Sequence, residues 1–227
     1  MANKGNSRHV KSLSSPLYLG ISKKEHKYTA KPMPGRHSLE RSLPLISFGK
    51  KIGISKSSKY IKKAIAGGSI AVNGKIIRQP YYPVGLNDVV EINGSGDRYI
   101  IGINSRGQSD IAKAEGKPLR ICKVVQKYKA KGNRMMIRLH DGEIFKAEDN
   151  GVKVNDSIAI SEAEKNWKVI KLAVGSRCLV IDGVHVGSTG VIEELHAGSA
   201  LSSGSARIKS GDGGTFETLL DNIMVVE

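Results

Sequence analysis

Aromatic side chains make up only 5% of the 227 residues, with one Trp and three Phe, and apolar residues of all kinds reach 39%. One large core is therefore poorly supplied. The length suggests one or two ordinary domains, and 26 Gly and seven Pro leave room for three small ones. Cysteine is nearly missing. Cys122 and Cys178 cannot build a disulfide framework, and both sit in apolar, strand-like runs as expected for reduced core residues. No run of roughly 18 uncharged apolar residues occurs, which excludes a bilayer-spanning helix. The stretch Met1 to Arg8 lacks the apolar segment of a secretory signal, so a cytoplasmic protein is expected. His9, His26, His37, His140, His185 and His196 are scattered without metal-ligand spacing, and no metal or cofactor is expected.

Acidic residues are almost absent from the first third. Residues 1–80 contain 17 Lys and Arg against Glu25 and Glu40 alone, a net charge of +15, whereas residues 81–227 balance 19 against 19. Solubility needs only modest, dispersed charge. Self-repulsion at this density destabilises a compact fold unless a polyanion neutralises it. Nucleic acid is the leading partner, through phosphate contacts and counterion release. An anionic membrane would call for a basic amphipathic helix with exposed large apolar residues, and the first 40 residues offer none, so no membrane partner is expected.

Four segments follow along the chain. Residues 1–40 are rich in Lys, Ser, His and Pro without an apolar period, and Pro16, Pro32 and Pro34 block regular helix. They read as an extended basic arm, disordered alone and ordered on contact with RNA, with Arg8, His9, Lys11, Arg36 and His37 as candidate contacts. Residues 41–104 read as a small α+β unit. Leu43, Leu45, Ile46, Phe48 and Ile52 give a first helical period after which Lys50 and Lys51 sit near Gly53. Ser55 to Ala66 reads as a second helix, capped by Ser55 or Ser57 and stopped by Gly67-Gly68. At ~100° per residue, Ile61, Ala64 and Ile65 share one side, and Lys56, Lys59, Lys62 and Lys63 fill much of the other. No acid intervenes to pair with these lysines at i,i+4, which favours phosphate over plain solvation. The strand Ser69–Val72, the turn Asn73-Gly74, Lys75 and Arg78 form a hairpin, followed by the strand-forming stretch Val84 to Ile92.

These residues carry a resemblance. Lys50 to Lys59, Ile65 to Lys75 and Val84 to Ile92 are similar to the small RNA-binding module named after ribosomal protein S-four. The resemblance implies two helices and a β-hairpin presenting a basic surface to structured RNA. Many members carry Arg early in the second helix. This chain has Ser58 there, with Lys56 and Lys59 as substitutes. The module also occurs in enzymes, but the Gly-Arg-Leu-Asp context of a pseudouridine synthase is absent, and a tRNA synthetase needs far more chain.

Residues 105–171 read as a central β domain. Leu119 to Val125 alternates, and Met135–Leu139 and Glu143–Phe145 flank the turn His140-Asp141-Gly142. Val152 to Ile160 repeats the Val-x-x-Asn-Asp spacing of Val84 to Ile92, a reused turn-into-strand device. Lys127, Lys129, Lys131 and Arg134 read as a small basic loop able to touch RNA, with plain solvation the favoured account. Residues 172–227 read as five short strands of a small SH3-like barrel. The run Val174 to Ile192 resembles the KOW motif of ribosomal proteins and elongation factors, with Gly187 and Gly190 at tight turns or close approaches.

The order of arm, basic module, β domain and KOW barrel resembles the e-type S-four family of small-subunit ribosomal proteins, found in archaea and eukaryotes. Lys31 to His37, Leu43 to Leu45, Asn73 to Lys75, Val154 to Asp156 and Phe216 to Ile223 carry the likeness, and an ending at Val225-Val-Glu227 suggests the archaeal branch. The fold expected is multidomain α+β. The resemblance implies a non-catalytic constituent of the ribosome whose partners are small-subunit ribosomal RNA and neighbouring ribosomal proteins, with no small-molecule substrate. The rival readings are a KOW-containing transcription or translation factor and an RNA-modifying enzyme.

Overall fold

The computed structural model describes residues 7–116, 118–146, 151–161, 166–198, 203–211 and 213–226. The expectations placed on Met1–Asn6 and on Glu227 lie outside them. The chain divides into two compact units, Met1–Gly102 with Gln108–Pro118, and Ile103–Gly107 with Leu119–Glu227.

The first unit begins with a short antiparallel pair, β1 (His9–Lys11) and β2 (Tyr28–Ala30), with His9 opposite Ala30 and Lys11 opposite Tyr28. Between them the chain folds inward. Tyr18 and Leu19 lie in a 3₁₀ turn and are 4% and 0% exposed, and Ser12 and Ser15 are buried beside them. Residues 7–40 therefore differ from the expected extended arm: Tyr18 and Leu19, from the short apolar run Leu17-Tyr18-Leu19, anchor the segment to the unit's core. β3 (Ser42–Pro44) pairs with β6 (Pro83–Gly85). The helices α1 (Leu45–Lys51) and α2 (Ser58–Ala66) pack through Phe48, Ile61 and Ile65, all fully buried. Gly49 allows this approach, since a β-carbon there would stand 2.9 Å from Ile61 Cγ2. Helix α2 starts three residues later than the sequence predicts. The Ser57 amide donates to the Ser55 hydroxyl at 3.1 Å, a local turn that competes with helical bonding and leaves Lys56 ahead of the helix.

A five-stranded antiparallel sheet completes this unit. Its members are β4 (Ile70–Val72), β5 (Lys75–Ile76), β7 (Val89–Ile92), β8 (Arg98–Ile103) and β9 (Ser109–Ala114), in the order β5-β4-β7-β8-β9. The predicted boundary at residue 104 thus falls inside one sheet. The hairpin turn Asn104 to Gly107 carries the polar, glycine-containing composition of a linker, which is why it reads as one.

The second unit holds two further antiparallel sheets. One consists of β10 (Arg120–Ala130), β11 (Arg134–Leu139), β12 (Ile144–Lys146), β13 (Ser157–Ser161) and β14 (Asn166–Ile170), ordered β12-β11-β10-β13-β14. Strand β10 serves both sides: Arg120–Lys123 pair with β13, Val124 onward pairs with β11, and a bulge at Val125 shifts the β11 register between Val124 and Gln126. Cys122, Val124, Ile137, Leu139, Val152 and Ile158 form its core. The other sheet is β15 (Arg177–Val180), β16 (Thr189–His196), β17 (Ser205–Ser210), β18 (Thr215–Leu219) and β19 (Ile223–Val225), ordered β18-β17-β16-β15-β19 over Cys178, Val180, Ile192, Ala206, Ile208 and Ile223. Both cysteines are buried and unpaired with each other, as the sequence predicts. Lys123, 3% exposed, reaches from β10 to the carbonyl oxygens of Leu220 (2.7 Å) and Asp221 (2.9 Å), joining the two sheets.

The repeated Val-x-x-Asn-Asp device is the same structure twice. Asn87 and Asn155 take left-handed backbone, φ 60° and 72°. Each following Asp accepts a hydrogen bond from the amide three residues back, Gly85 N–H to Asp88 at 2.9 Å and Lys153 N–H to Asp156 at 2.8 Å. The carboxylate closes the turn and aims the next residues into a strand.

Candidate nucleic-acid interface

The basic surface of the first unit rests on α2. At ~100° per residue Lys59, Lys62 and Lys63 span roughly a 100° arc, opposite the buried Ile61 and Ile65. All three are exposed, as are Lys50, Lys56, Lys75 and Arg78. Among the described residues none of these seven has a carboxylate partner. Lys62 instead places its ammonium 5.5 Å from the centre of the Tyr81 ring. Tyr60, 61% exposed, stands among the lysines, and Ile76, 59% exposed, lies beside Gly68 at the end of the helix. Aromatic faces between cations suit bases between phosphates. Tyr60 went unremarked in the sequence, although its place in Lys59-Tyr60-Ile61 was a usable signal.

The hairpin carrying Lys75 is held by a buried carboxylate. Asp88 is 2% exposed; one oxygen lies 2.7 Å from His37 Nε2 and accepts from the Gly85 amide, and the other accepts from Asn73 Nδ2 at 2.7 Å. Asn73 Oδ1 in turn accepts the Val89 amide at 2.9 Å, and the Asn73 amide donates back to the Val89 carbonyl. Burial pulls the Asp88 pKa upward, but the His37 imidazole and the bonds from His37, Asn73 and Gly85 outweigh it and hold it at about 2. The turn itself takes φ 48° at Asn73 and 71° at Gly74, the pair of positive values that an Asn-Gly hairpin supplies.

One predicted contact residue is corrected by this geometry. His37 is 7% exposed and packed so closely over Gly85 that a β-carbon there would run into its ring. It fastens the N-terminal segment to the module and presents no face to RNA. Lys51 donates to the Ser109 carbonyl (3.1 Å) and hydroxyl (2.7 Å), tying α1 to β9. Its pKa is lowered by burial, partly offset by Asp110. Arg36 is half-buried. Arg8 and Lys11 are exposed on the β1–β2 pair, where the His9 ring meets Tyr28 edge-on at 5.0 Å.

Comparison with known proteins sets this geometry in a family. Family models match residues 4–40 (RS4NT domain), 43–90 (S4 domain) and 95–167 (Ribosomal family S4e). The small ribosomal subunit protein eS4 of Methanothermobacter thermautotrophicus is 33% identical over 230 residues, covering 100% of this chain and 95% of that protein. The chain belongs to the eS4 family. The eS4 protein of Methanocaldococcus jannaschii is 30% identical over 236 residues, with 100% and 96% covered. The crystal structure of the 30S ribosomal protein S4e from Thermoplasma acidophilum matches with a TM-score of 0.70 at 28% identity, covering 82% of this chain and 95% of that one. The eS4 architecture here is mixed α and β, mostly strands, with the lysine-bearing α2 inside the region matched by the S4 domain. The expectation of this family, drawn from the sequence, holds.

Proposed function

We propose that this chain is a structural, non-catalytic constituent of the small ribosomal subunit that binds ribosomal RNA and supports translation, working in the cytoplasm with neighbouring ribosomal proteins. Its relatives carry the name of small-subunit proteins over their full length. The single physical observation behind the reading is the cluster of exposed Lys59, Lys62 and Lys63 on α2 and Lys75 on β5, with Arg78 just beyond the strand, none with a carboxylate partner among the described residues. Cations so placed lose little conformational freedom on meeting phosphates and gain the entropy of released counterions. Lys50 and Lys56 flank them, and Arg8 and Lys11 extend the basic surface of the unit. In this reading residues 1–40 serve as the N-terminal RNA-facing segment, 41–104 together with strand β9 as the principal RNA-binding domain, the rest of 105–171 as the central β domain, and 172–227 as a KOW-type barrel.

The test is sedimentation of the tagged protein with small subunits. A core constituent stays bound through a moderately high-salt wash, whereas a transient factor is released. Free protein should bind small-subunit ribosomal RNA with a steep salt dependence. With six to ten phosphates contacted, affinity falls by about 10³ to 10⁵ between 50 and 200 mM salt. Altered nucleosides or strand cleavage in that RNA would overturn the non-catalytic reading.

A further inference from the structure

The net charge of zero over residues 81–227 conceals a second asymmetry. Residues 120–146 carry eight Lys and Arg against two acids, Asp141 and Glu143, while residues 147–227 carry seven against twelve. Both acids of the basic stretch are spent on one buried cation. Arg120, 2% exposed, lies 3.1 Å from Asp141 Oδ2 and 2.6 Å from Glu143 Oε2.

The register shows where that charge stands. Lys127, Ile137 and Phe145 face the core side, Ile137 being fully buried. The alternate residues form the outer face in three rows: Ala130 with Arg134; Tyr128 with Met136 and Lys146; Gln126 with Arg138 and Ile144. Arg134, Arg138 and Lys146 are exposed, Tyr128 and Met136 lie half-buried between them, and none of the eight residues in these rows is acidic. Arg134 and Arg138 are two pleats apart, ~13 Å along the strand, and Lys146 is diagonal to both at ~8 Å. Among the described residues neither arginine has a carboxylate partner.

We propose that this outer face is a second RNA-binding surface, in which Arg134, Arg138 and Lys146 hold successive backbone phosphates over a floor of Tyr128 and Met136. The proposal deepens the ribosomal reading and rests on it. A pleated strand fixes the three cations at spacings a solvated loop would not keep. Arginine is suited to phosphate by its planar fork of donors. The half-exposed Tyr128 ring offers an unstacked base a face between two guanidinium groups.

The experiment compares three full-length proteins on a transcript of archaeal small-subunit ribosomal RNA: wild type, the triple variant R134Q/R138Q/K146Q, and K59Q/K63Q. Affinity is measured from 50 to 200 mM salt, and melting curves confirm folding. The proposal expects the triple variant to lose about 2 to 3 from the slope of log affinity against log salt, at ~0.7 to 0.9 per phosphate. The wild-type advantage then shrinks about 20- to 40-fold across that salt range. An unchanged slope in the triple variant, with binding lost in K59Q/K63Q, overturns this surface and leaves the first one standing. A wild-type protein that does not bind the transcript overturns the ribosomal reading itself. Should the triple variant melt early, R138Q alone, on an exposed side chain, must still lower the slope by about 0.8. Crosslinks from this face to an acidic protein in assembled subunits, with RNA affinity unchanged, overturn the proposal in favour of a protein partner.

Discussion

Replacing Asp88 by Asn tests whether one carboxylate organises the first unit. The native group is held at about 2 against an ordinary 3.8. This corresponds to about 2 to 3 kcal/mol favouring the ionised, folded form. A depressed folded pKa contributes stability that is present above the unfolded value, near pH 4, and lost as pH falls through about 2. Asparagine keeps the volume but turns an NH₂ group toward donors that the carboxylate accepted from, His37 and the Gly85 amide or Asn73. The loss at neutral pH should therefore be about 2 to 4 kcal/mol, as for other buried hydrogen-bonded charges. The assay is amide exchange at Val89, which bonds to Asn73 Oδ1 and reports on this unit alone, measured from pH 7 down to pH 3 beside chemical unfolding. D88N should exchange faster at pH 7, and the gap from wild type should narrow as the pH drops below 4. Equal protection in the two proteins at pH 7, or a gap that does not close in acid, would refute the reasoning.

Gly85→Ala should cost about 1 to 3 kcal/mol in thermal unfolding by driving a methyl into the His37 ring. Lys59→Glu with Lys63→Glu should weaken ribosomal RNA binding far more than Arg207→Glu with Lys209→Glu, read by filter binding, because Arg207 and Lys209 already face Glu194 (3.2 Å) and Glu193 (3.9 Å). Arg120→Ala should destabilise the second unit by about 3 to 5 kcal/mol in urea unfolding, since it removes the guanidinium that lies 3.1 Å from the buried Asp141 carboxylate. Lys123→Met should cost about 1 to 3 kcal/mol in the same measurement by leaving the Leu220 and Asp221 carbonyls without their buried donor.

Local chemistry was readable in the sequence and long-range closure was not. The apolar period of Ile61 and Ile65, the Asn73-Gly74 turn and the two Asn-Asp devices act over two to four residues, so their pattern is their structure. His37 and Asp88 meet across 51 positions, and no periodicity announces such a pair. His37 was therefore grouped with the phosphate contacts by its basic neighbours, when its burial makes it a clamp. The structural tie of Lys51 went unseen for the same reason: its partner Ser109 sits 58 residues on, beyond a turn that resembles a domain boundary. The inward fold of Tyr18 and Leu19 was missed because the run Leu17-Tyr18-Leu19 is too short to show a helical or strand period. The second basic strand face was hidden differently, by summing charge over a window whose acidic tail cancels it.

The His37–Asp88 clasp has a bearing on biosynthesis. The ribosome makes the N-terminal segment first, yet its fastening is translated 51 residues later, a delay of about 3 to 10 seconds at 5 to 20 residues per second. Throughout that interval a nascent stretch dense in lysine and arginine has no lock to close on. In a cell crowded with anionic polymers, its earliest encounters are decided by charge before its shape exists.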